Sequence, residues 1–260
     1  YKNRTMGVAK TDTKIKSILI SQPKPEEGQK SPYFDLAQER KIKVDFRHFI
    51  HVEGIPGQEF RQSRIELKEH TAVILTSKSS VDHYFRMAEE MRFDVPDAMK
   101  YFCTNESIAK YLQKYIVYRK RKISFGKAVF QDLMPLILKN KSEKFLLPLS
   151  AQHNGSISVI LKNNEINFSE AIMYKTVISD LSDLADVNYD MLVFFSPSGI
   201  ESLYHNFPDF KQNKTRIAVW GQSTADAVLK KDLRIDVQAP MPKVPSMKKA
   251  IENYMDGKTE

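Results

Sequence analysis

The chain has 260 residues, of which 42% are hydrophobic, which is enough for one large domain or two of ordinary size. No apolar run approaches the roughly 18 residues that a membrane span needs, and the polar first residues predict no signal peptide. The net charge of +8 favours a polyanionic partner, such as nucleic acid, an acidic membrane surface or a carboxylate-rich small molecule.

The composition offers little for a metal ion or an organic cofactor, and we expect neither. The single cysteine, Cys103, excludes an internal disulfide and makes a reducing cytoplasm the simplest setting. The six histidines lack the spacing of metal ligands, and no P-loop or GxGxxG motif is present. The densest basic run, residues 119–122, lacks accompanying recognition motifs, so we interpret it as a solvated helix end.

In chain order, residues 1–15 are expected to form a disordered tail, followed by a buried strand at 16–20 and a helix that begins at Pro32. Residues 42–52 alternate apolar and polar side chains, which predicts an unusually long strand, and residues 60–68 predict a helix. A strand longer than one sheet needs could leave its domain and connect it to another.

The chain then repeats one pattern, in which an apolar strand is followed by a turn rich in Ser and Thr and by the start of a helix. The strands of this pattern are predicted at residues 71–75, 100–103, 191–195 and 217–220. Ser77 and Ser107 are 30 residues apart, and Ser196 and Thr224 are 28 apart. Two pairs at near-equal spacing predict two similar α/β domains.

The remaining segments complete the first of these domains. Further helices are predicted at residues 79–91, 107–118, 127–138 and 156–164, and further strands at 123–125 and 145–149. Residues 168–177 alternate through Ile172 and Tyr174 and form a second candidate connector. If both connectors cross together, residues 52–174 form a domain inserted into an outer domain of residues 16–51 and 175–260, with a cleft between the two.

These segments resemble uroporphyrinogen-III synthases over nearly the whole chain beyond the tail. The resemblance is carried by residues 194–199 (FFSPSG), 174–176 (YKT) and 221–225 (GQSTA), with weaker agreement at Thr76 and Ser77 and in 24–33. It implies two flavodoxin-like three-layer α/β domains with parallel sheets, joined by a two-stranded linker, with the active-site cleft between them. It also implies an enzyme that cyclises hydroxymethylbilane, a linear tetrapyrrole with eight carboxylates, inverts ring D and releases water.

The resemblance implies that Tyr174 assists departure of the substrate hydroxyl, because a phenol can donate a proton or a hydrogen bond. The alternative is a tyrosine that only packs in the connector. Hydroxyl groups and backbone amides at strand ends are expected to bind the carboxylates, or else to cap their own helices. The expected substrate-binding residues are Thr76, Ser77, Lys78, Ser79, Thr104, Ser107, Ser196, Pro197, Ser198, Gly199, Gln222, Ser223 and Thr224.

Other functions remain open at this point. A catalytically inactive two-lobe module that binds a tetrapyrrole or another polyanion would show the same pattern. A nucleic-acid binder acting through residues 119–122 is less favoured. For the enzyme we expect a cytoplasmic monomer that can receive its substrate from the preceding deaminase, with no nucleic-acid or membrane partner.

Overall fold

The computed structural model describes residues 14–258, which divide into two compact units. We call Val52–Val177 the inserted unit, and residues 14–51 with 178–258 the split unit. Residues 1–13 of the expected tail lie outside the described part of the chain, whereas Ile15 is buried in the core of the split unit.

The described residues form short strands alternating with helices. The strands are β1 (Ser17–Ile20), β2 (Lys43–Phe46), β3 (Ile50–Gly54), β4 (Ala72–Leu75), β5 (Lys100–Cys103), β6 (Ile123–Phe125), β7 (Phe145–Ser150), β8 (Phe168–Ile178), β9 (Met191–Phe194), β10 (Arg216–Trp220) and β11 (Val237–Ala239). The helices are α1 (Pro32–Arg40), α2 (Gly57–Phe60), α3 (Lys78–Glu90), α4 (Glu106–Tyr111), α5 (Met134–Lys139), α6 (Ser156–Asn163), α7 (Pro197–Asn206), α8 (Gln222–Leu229) and α9 (Met247–Met255). Among residues 14–258, no helix is both long and apolar enough to cross a membrane.

The sheet of the split unit has the strand order β11-β10-β9-β1-β2, and its strands pair in parallel. Because successive residues of a strand point to opposite faces, Ile18 and Leu19 belong to different core clusters. Helices α1 and α9 cover one face, and α7 and α8 cover the other. The result is a three-layer unit whose central strands are apolar on both faces.

The sheet of the inserted unit has the order β3-β8-β7-β4-β5-β6. Helices α3 and α4 pack on one face with Val73 and Leu75, while α5 and α6 pack on the other with Ala72 and Ile74. The two chain crossings, after His51 and before Ile178, lie within the neighbouring strands β3 and β8. The predicted α/β class with parallel sheets and a two-stranded connection is confirmed.

Two predicted elements are wrong. Residues 42–52 form two strands rather than one, because the chain bends at 47–49. At this bend Arg47 donates to the Asp180 carbonyl and pairs with Asp183. The Phe49 ring packs edge-on against the Phe194 ring, with centroids 5.5 Å apart. Phe49 therefore continues the apolar alternation without belonging to a strand.

The predicted helix at residues 60–68 is also absent. Helix α2 ends at Phe60 and short 3-10 turns follow at Arg61–Ser63 and Leu67–Glu69. The Ser63 hydroxyl donates to the Phe60 carbonyl at 2.7 Å, and its oxygen accepts from the Ile65 amide at 3.3 Å. Such local side-chain bonds compete with the helical ladder. The helices predicted at 107–118 and 127–138 are likewise shorter, with 3-10 turns beside α4 and α5.

Candidate functional site

The carboxyl ends of parallel strands meet at one edge of a sheet, which is the edge where open α/β sheets bind ligands. In the inserted unit the turns after β4 and β5 reach this edge, and in the split unit the turns after β9 and β10 do so. Each predicted substrate-binding residue therefore lies at the carboxyl edge of its own sheet, and we describe each edge separately.

The turn after β4 uses its hydroxyl groups to start α3. The Ser77 oxygen accepts from the Ser80 amide at 3.0 Å, and the Ser80 oxygen accepts from the amides of Thr76 and Ser77, both at 3.1 Å. This reciprocal capping box consumes two of the amides that were expected to bind a ligand. Ser79 follows Lys78 in the first turn of α3 and is half-buried.

Tyr174 comes to this same turn because β8 contains an irregularity. The β7–β8 register pairs Leu149 with Ile172 but Ser150 with Tyr174, so one extra residue is accommodated in β8. The predicted alternation placed Ile172 and Tyr174 on one face, and this is wrong. Ile172 packs with the α5 and α6 layer, whereas Tyr174 packs with the α3 layer. A β-bulge re-aims a side chain in this way.

The Tyr174 side chain is held from two sides. Its hydroxyl lies 3.4 Å from the Ser77 oxygen, and the His83 ring stacks on the phenol with centroids 5.0 Å apart and planes inclined by 16°. Tyr174 is only 8% exposed. The phenol is therefore held at the carboxyl edge, beside the first turn of α3.

His83 is held in turn by Arg86, whose Nε–H donates to Nδ1 of the imidazole at 3.0 Å. The neutral ring must then carry its proton on Nε2. Burial and the Arg86 charge lower the pKa of His83, which favours this neutral form. Arg86 also pairs with Glu90 and donates to the Met173 carbonyl at 2.8 Å, so the network ties α3 to β8.

Lys78 provides positive charge at this edge. Its ammonium lies 5.3 Å from the centroid of the Tyr111 ring, and no carboxylate among residues 14–258 pairs with it. The nearby Asp82 accepts instead from Tyr111, Lys114 and Tyr115. Burial would raise the pKa of Asp82, but these hydrogen bonds outweigh it and hold the pKa below its ordinary value.

The turn after β5 has fewer hydroxyl groups available to a ligand than the sequence predicts. The Thr104 hydroxyl donates to the Leu75 carbonyl at 3.4 Å, and Asn105 rather than a hydroxyl residue caps α4. Ser107 lies exposed in the first turn of this six-residue helix. The structure thus brings Thr76, Ser77 and Tyr174 together and leaves Ser107 apart, without a recorded partner in the described chain.

In the split unit, the turn after β9 repeats the arrangement of Ser77. The Ser196 oxygen accepts from the Gly199 amide at 3.4 Å, and Pro197 occupies the first turn of α7, where its missing N–H costs nothing. Ser198 is half-buried beside them. A Cβ at Gly199 would lie 3.1 Å from a ring carbon of Phe194, so glycine permits the close packing of α7 on β9.

The turn after β10 starts its helix differently. Gly221 has φ of 81° and supplies no side-chain cap to α8. Gln222 and Ser223 are exposed, while Thr224, the third helical residue, is 1% exposed and its hydroxyl has no partner among residues 14–258. The first-turn amides are likewise free of recorded acceptors in that part of the chain, which leaves them available to an anion.

One further feature of the inserted unit was not predicted from the sequence. A cavity of about 310 Å³ lies between the ends of β4 and β7, Tyr174 and the start of α6. None of the expected substrate-binding residues lies at residues 150–158, although a helix was predicted to begin at 156. His83 was also missed, although its spacing from Arg86 places both on one face of α3. Within the described residues, no cluster of His, Cys, Asp and Glu could hold a metal ion.

Two comparisons give matches, one with a protein family and one with solved structures. The profile of the family described as uroporphyrinogen-III synthase HemD matches residues 35–249. Comparison with curated proteins gives no match.

Two solved structures resemble this chain over almost its full length. A uroporphyrinogen-III synthetase from Helicobacter pylori 26695 is 17% identical, with a TM-score of 0.59, covering 93% of this chain and 99% of that one. A mutant uroporphyrinogen III synthase from the extremely thermophilic bacterium Thermus thermophilus is 14% identical, with a TM-score of 0.55 and the same coverage. At these identities the likeness establishes the fold alone.

Proposed function

Because the chain belongs to the uroporphyrinogen-III synthase family, we propose that it converts hydroxymethylbilane to uroporphyrinogen III. The profile match over residues 35–249 is the observation that carries this function. In the reaction that the family implies, the hydroxyl group leaves the substrate's first ring as water and an azafulvene forms. Ring D attacks through its substituted carbon, and the resulting spiro intermediate fragments and recloses with ring D inverted.

The protein has three tasks in this reaction: to assist departure of the hydroxyl, to hold the chain folded, and to prevent direct closure to the symmetric isomer. We assign the first task to Tyr174, whose hydroxyl can donate to the departing oxygen. The phenol is fixed by Ser77 and by the stacked His83, so it needs little reorganisation when the bond breaks.

The second task requires contacts with many carboxylates. The starts of α7 and α8 in the split unit, and of α3 in the inserted unit, present helix N-termini at carboxyl edges, each stabilising an anion by about 0.3–1 kcal/mol at exposed sites. Thr224 and Lys78 add an unpartnered hydroxyl and an ammonium with no carboxylate partner among the described residues. We propose that both edges bind substrate carboxylates.

We further propose that the enzyme acts as a cytoplasmic monomer that receives its substrate from the preceding deaminase. The single cysteine is free and buried, which suits a reducing compartment.

Product-isomer analysis tests the function. Hydroxymethylbilane generated freshly by the deaminase is mixed with the protein, and the oxidised porphyrins are separated by chromatography. We expect a large excess of isomer III over isomer I. Isomer I alone, formed in the presence of folded protein, would contradict the synthase and leave a binding module.

Tyr174→Phe tests the assigned catalytic role. It keeps the stacked ring and removes the donor, so we expect kcat to fall about 10²-fold, in line with the usual contribution of a general acid. Tyr254→Phe is the matched control, because Tyr254 lies on α9 and its hydroxyl has no recorded hydrogen bond in the described chain. Equal kcat values for the two variants would show that the Tyr174 hydroxyl does not assist departure of the substrate hydroxyl.

A further inference from the structure

Helices α6 and α8 each begin after a glycine that has a positive φ. Gly155 precedes α6 with φ of 74° and provides no side-chain cap, as Gly221 does for α8. The third residue of α6, Ser158, is 4% exposed, and its hydroxyl has no hydrogen-bond partner within residues 14–258. Thr224 is in the same situation at the third position of α8.

An unpartnered buried hydroxyl is unusual, since buried polar side-chain atoms in folded proteins ordinarily make at least one hydrogen bond. Ser158 makes no such bond in the described structure. Leaving a buried hydroxyl without a hydrogen bond costs free energy. A ligand that forms a hydrogen bond with this hydroxyl at the helix start would recover that cost.

The backbone beside Ser158 is also free to donate. The Ser156 amide donates to the Asn154 side chain at 3.0 Å, whereas the amides of Ile157 and Ser158 have no acceptor in the part of the chain that the structure describes. The helix dipole adds positive potential at the same point. Two amides and a hydroxyl thus stand at the positive end of an eight-residue helix.

Ile157 and Ser158 line the cavity of about 310 Å³, which Thr76 and Tyr174 also line. None of its described lining residues is acidic. The Gly155 amide donates to Nδ1 of His153 at 3.2 Å, so the neutral imidazole carries its proton on Nε2 and offers a further donor at the rim.

From these observations we propose that the start of α6 is a carboxylate-binding site, which takes an acetate or propionate arm of the substrate beside Tyr174. A carboxylate entering the cavity can accept from the amides of Ile157 and Ser158, and from the Ser158 hydroxyl after rotation about χ1. The start of α6 shares its free donors with the start of α8, and we assign to it the carboxylate-binding role that was expected of the turn at Thr104 and Ser107. It rests on the proposed function for the identity of the ligand.

A direct test uses sodium propionate as the probe and backbone amide NMR of the ¹⁵N-labelled protein as the readout. We expect saturable shifts at the amides of Ile157 and Ser158, which propionamide, the neutral analogue, does not produce. Shifts confined to exposed lysine neighbourhoods, or equal shifts with propionamide, would overturn the site.

A second test places a competing carboxylate on the helix itself. Ser156→Asp should occupy the free amides, abolish the propionate shifts and raise KM for hydroxymethylbilane about tenfold, equivalent to about 1.4 kcal/mol. Asn163→Asp adds the same charge at the exposed opposite end of α6 and should leave KM unchanged. Thermal unfolding of both variants checks that the fold is retained.

The outcomes separate the site from the function. If Ser156→Asp still forms isomer III and its KM equals that of Asn163→Asp, the α6 site is rejected and the proposed synthase function stands. Propionate binding at α6 in a protein that yields only isomer I would establish the carboxylate site and reject the proposed function.

Discussion

Replacing Thr224 by valine should stabilise the free protein and weaken its function at the same time. The side chain is 1% exposed and its hydroxyl has no partner among the described residues, so the hydroxyl carries an unrecovered desolvation cost of about 1–3 kcal/mol. Valine has nearly the same shape and removes that cost. Allowing for imperfect packing of the new methyl group, we expect a gain of about 1 kcal/mol, or about 2–4 °C in Tm.

The assay combines thermal unfolding with steady-state kinetics on hydroxymethylbilane. Because the proposed anion site at the start of α8 loses a donor, KM should rise several-fold while kcat changes little. Thr215→Val is the matched control, since its hydroxyl donates to the Tyr189 carbonyl at 3.3 Å and its removal should lower Tm. A lower Tm for Thr224→Val, together with an unchanged KM, would refute the reasoning.

Two further predictions concern stability. Gly126→Ala should destabilise the inserted unit by about 1–3 kcal/mol, because the new Cβ would lie 2.8 Å from the backbone carbonyl oxygen of Thr104; urea unfolding measures this, and a midpoint equal to wild type would contradict it. His70 is 5% exposed and both ring nitrogens are satisfied, by the Glu66 carbonyl and the Ser169 hydroxyl, each at 2.9 Å. Burial lowers its pKa below the ordinary 6.5, so the unfolded chain takes up a proton first as the pH falls. Stability should therefore be full above pH 6.5 and decline below it, by at most about 1.4 kcal/mol per pH unit from this group. The decline between pH 7 and 5 should be smaller in His70→Gln; an identical pH profile of unfolding would exclude His70 as a source.

The strand-and-helix order of the repeated pattern was predictable because apolar strands and Ser/Thr turns are local signals. The face of Tyr174 was not, because the extra residue accommodated in β8 is set by pairing with β7 and leaves no mark in the sequence of either strand. Simple alternation through Ile172 therefore placed the phenol in the wrong layer. The bend at residues 47–49 was missed for a related reason. Phe49 is buried and fits the apolar–polar alternation of a strand, although it lies outside any strand.

Some features of the candidate site were also predictable from the sequence, and others were not. Serine residues at strand ends were correctly located, but the sequence could not show that Ser77 and Ser196 use their oxygens as helix caps. Nor could it show that the hydroxyls of Ser158 and Thr224 have no hydrogen-bond partner among the described residues. That distinction depends on whether a helix starts at a serine or at a glycine with positive φ, which is a property of backbone geometry. Strand β11 and helix α9 had no predicted counterpart at all, and they lie beyond the last repeat.

The insertion of one unit within the other has a consequence for synthesis on the ribosome. The inserted unit is a continuous stretch of chain, so all of its strands are available once residue 177 has emerged. The split unit cannot complete its sheet then, because β1 lies between β2 and β9, and β9 begins only at Met191. Until the last third of the chain is made, only α1 can cover one face of its first two strands, and the face that α7 and α8 will cover stays exposed. Chaperone dependence and aggregation during expression should therefore originate in the N-terminal segment of the split unit rather than in the inserted unit.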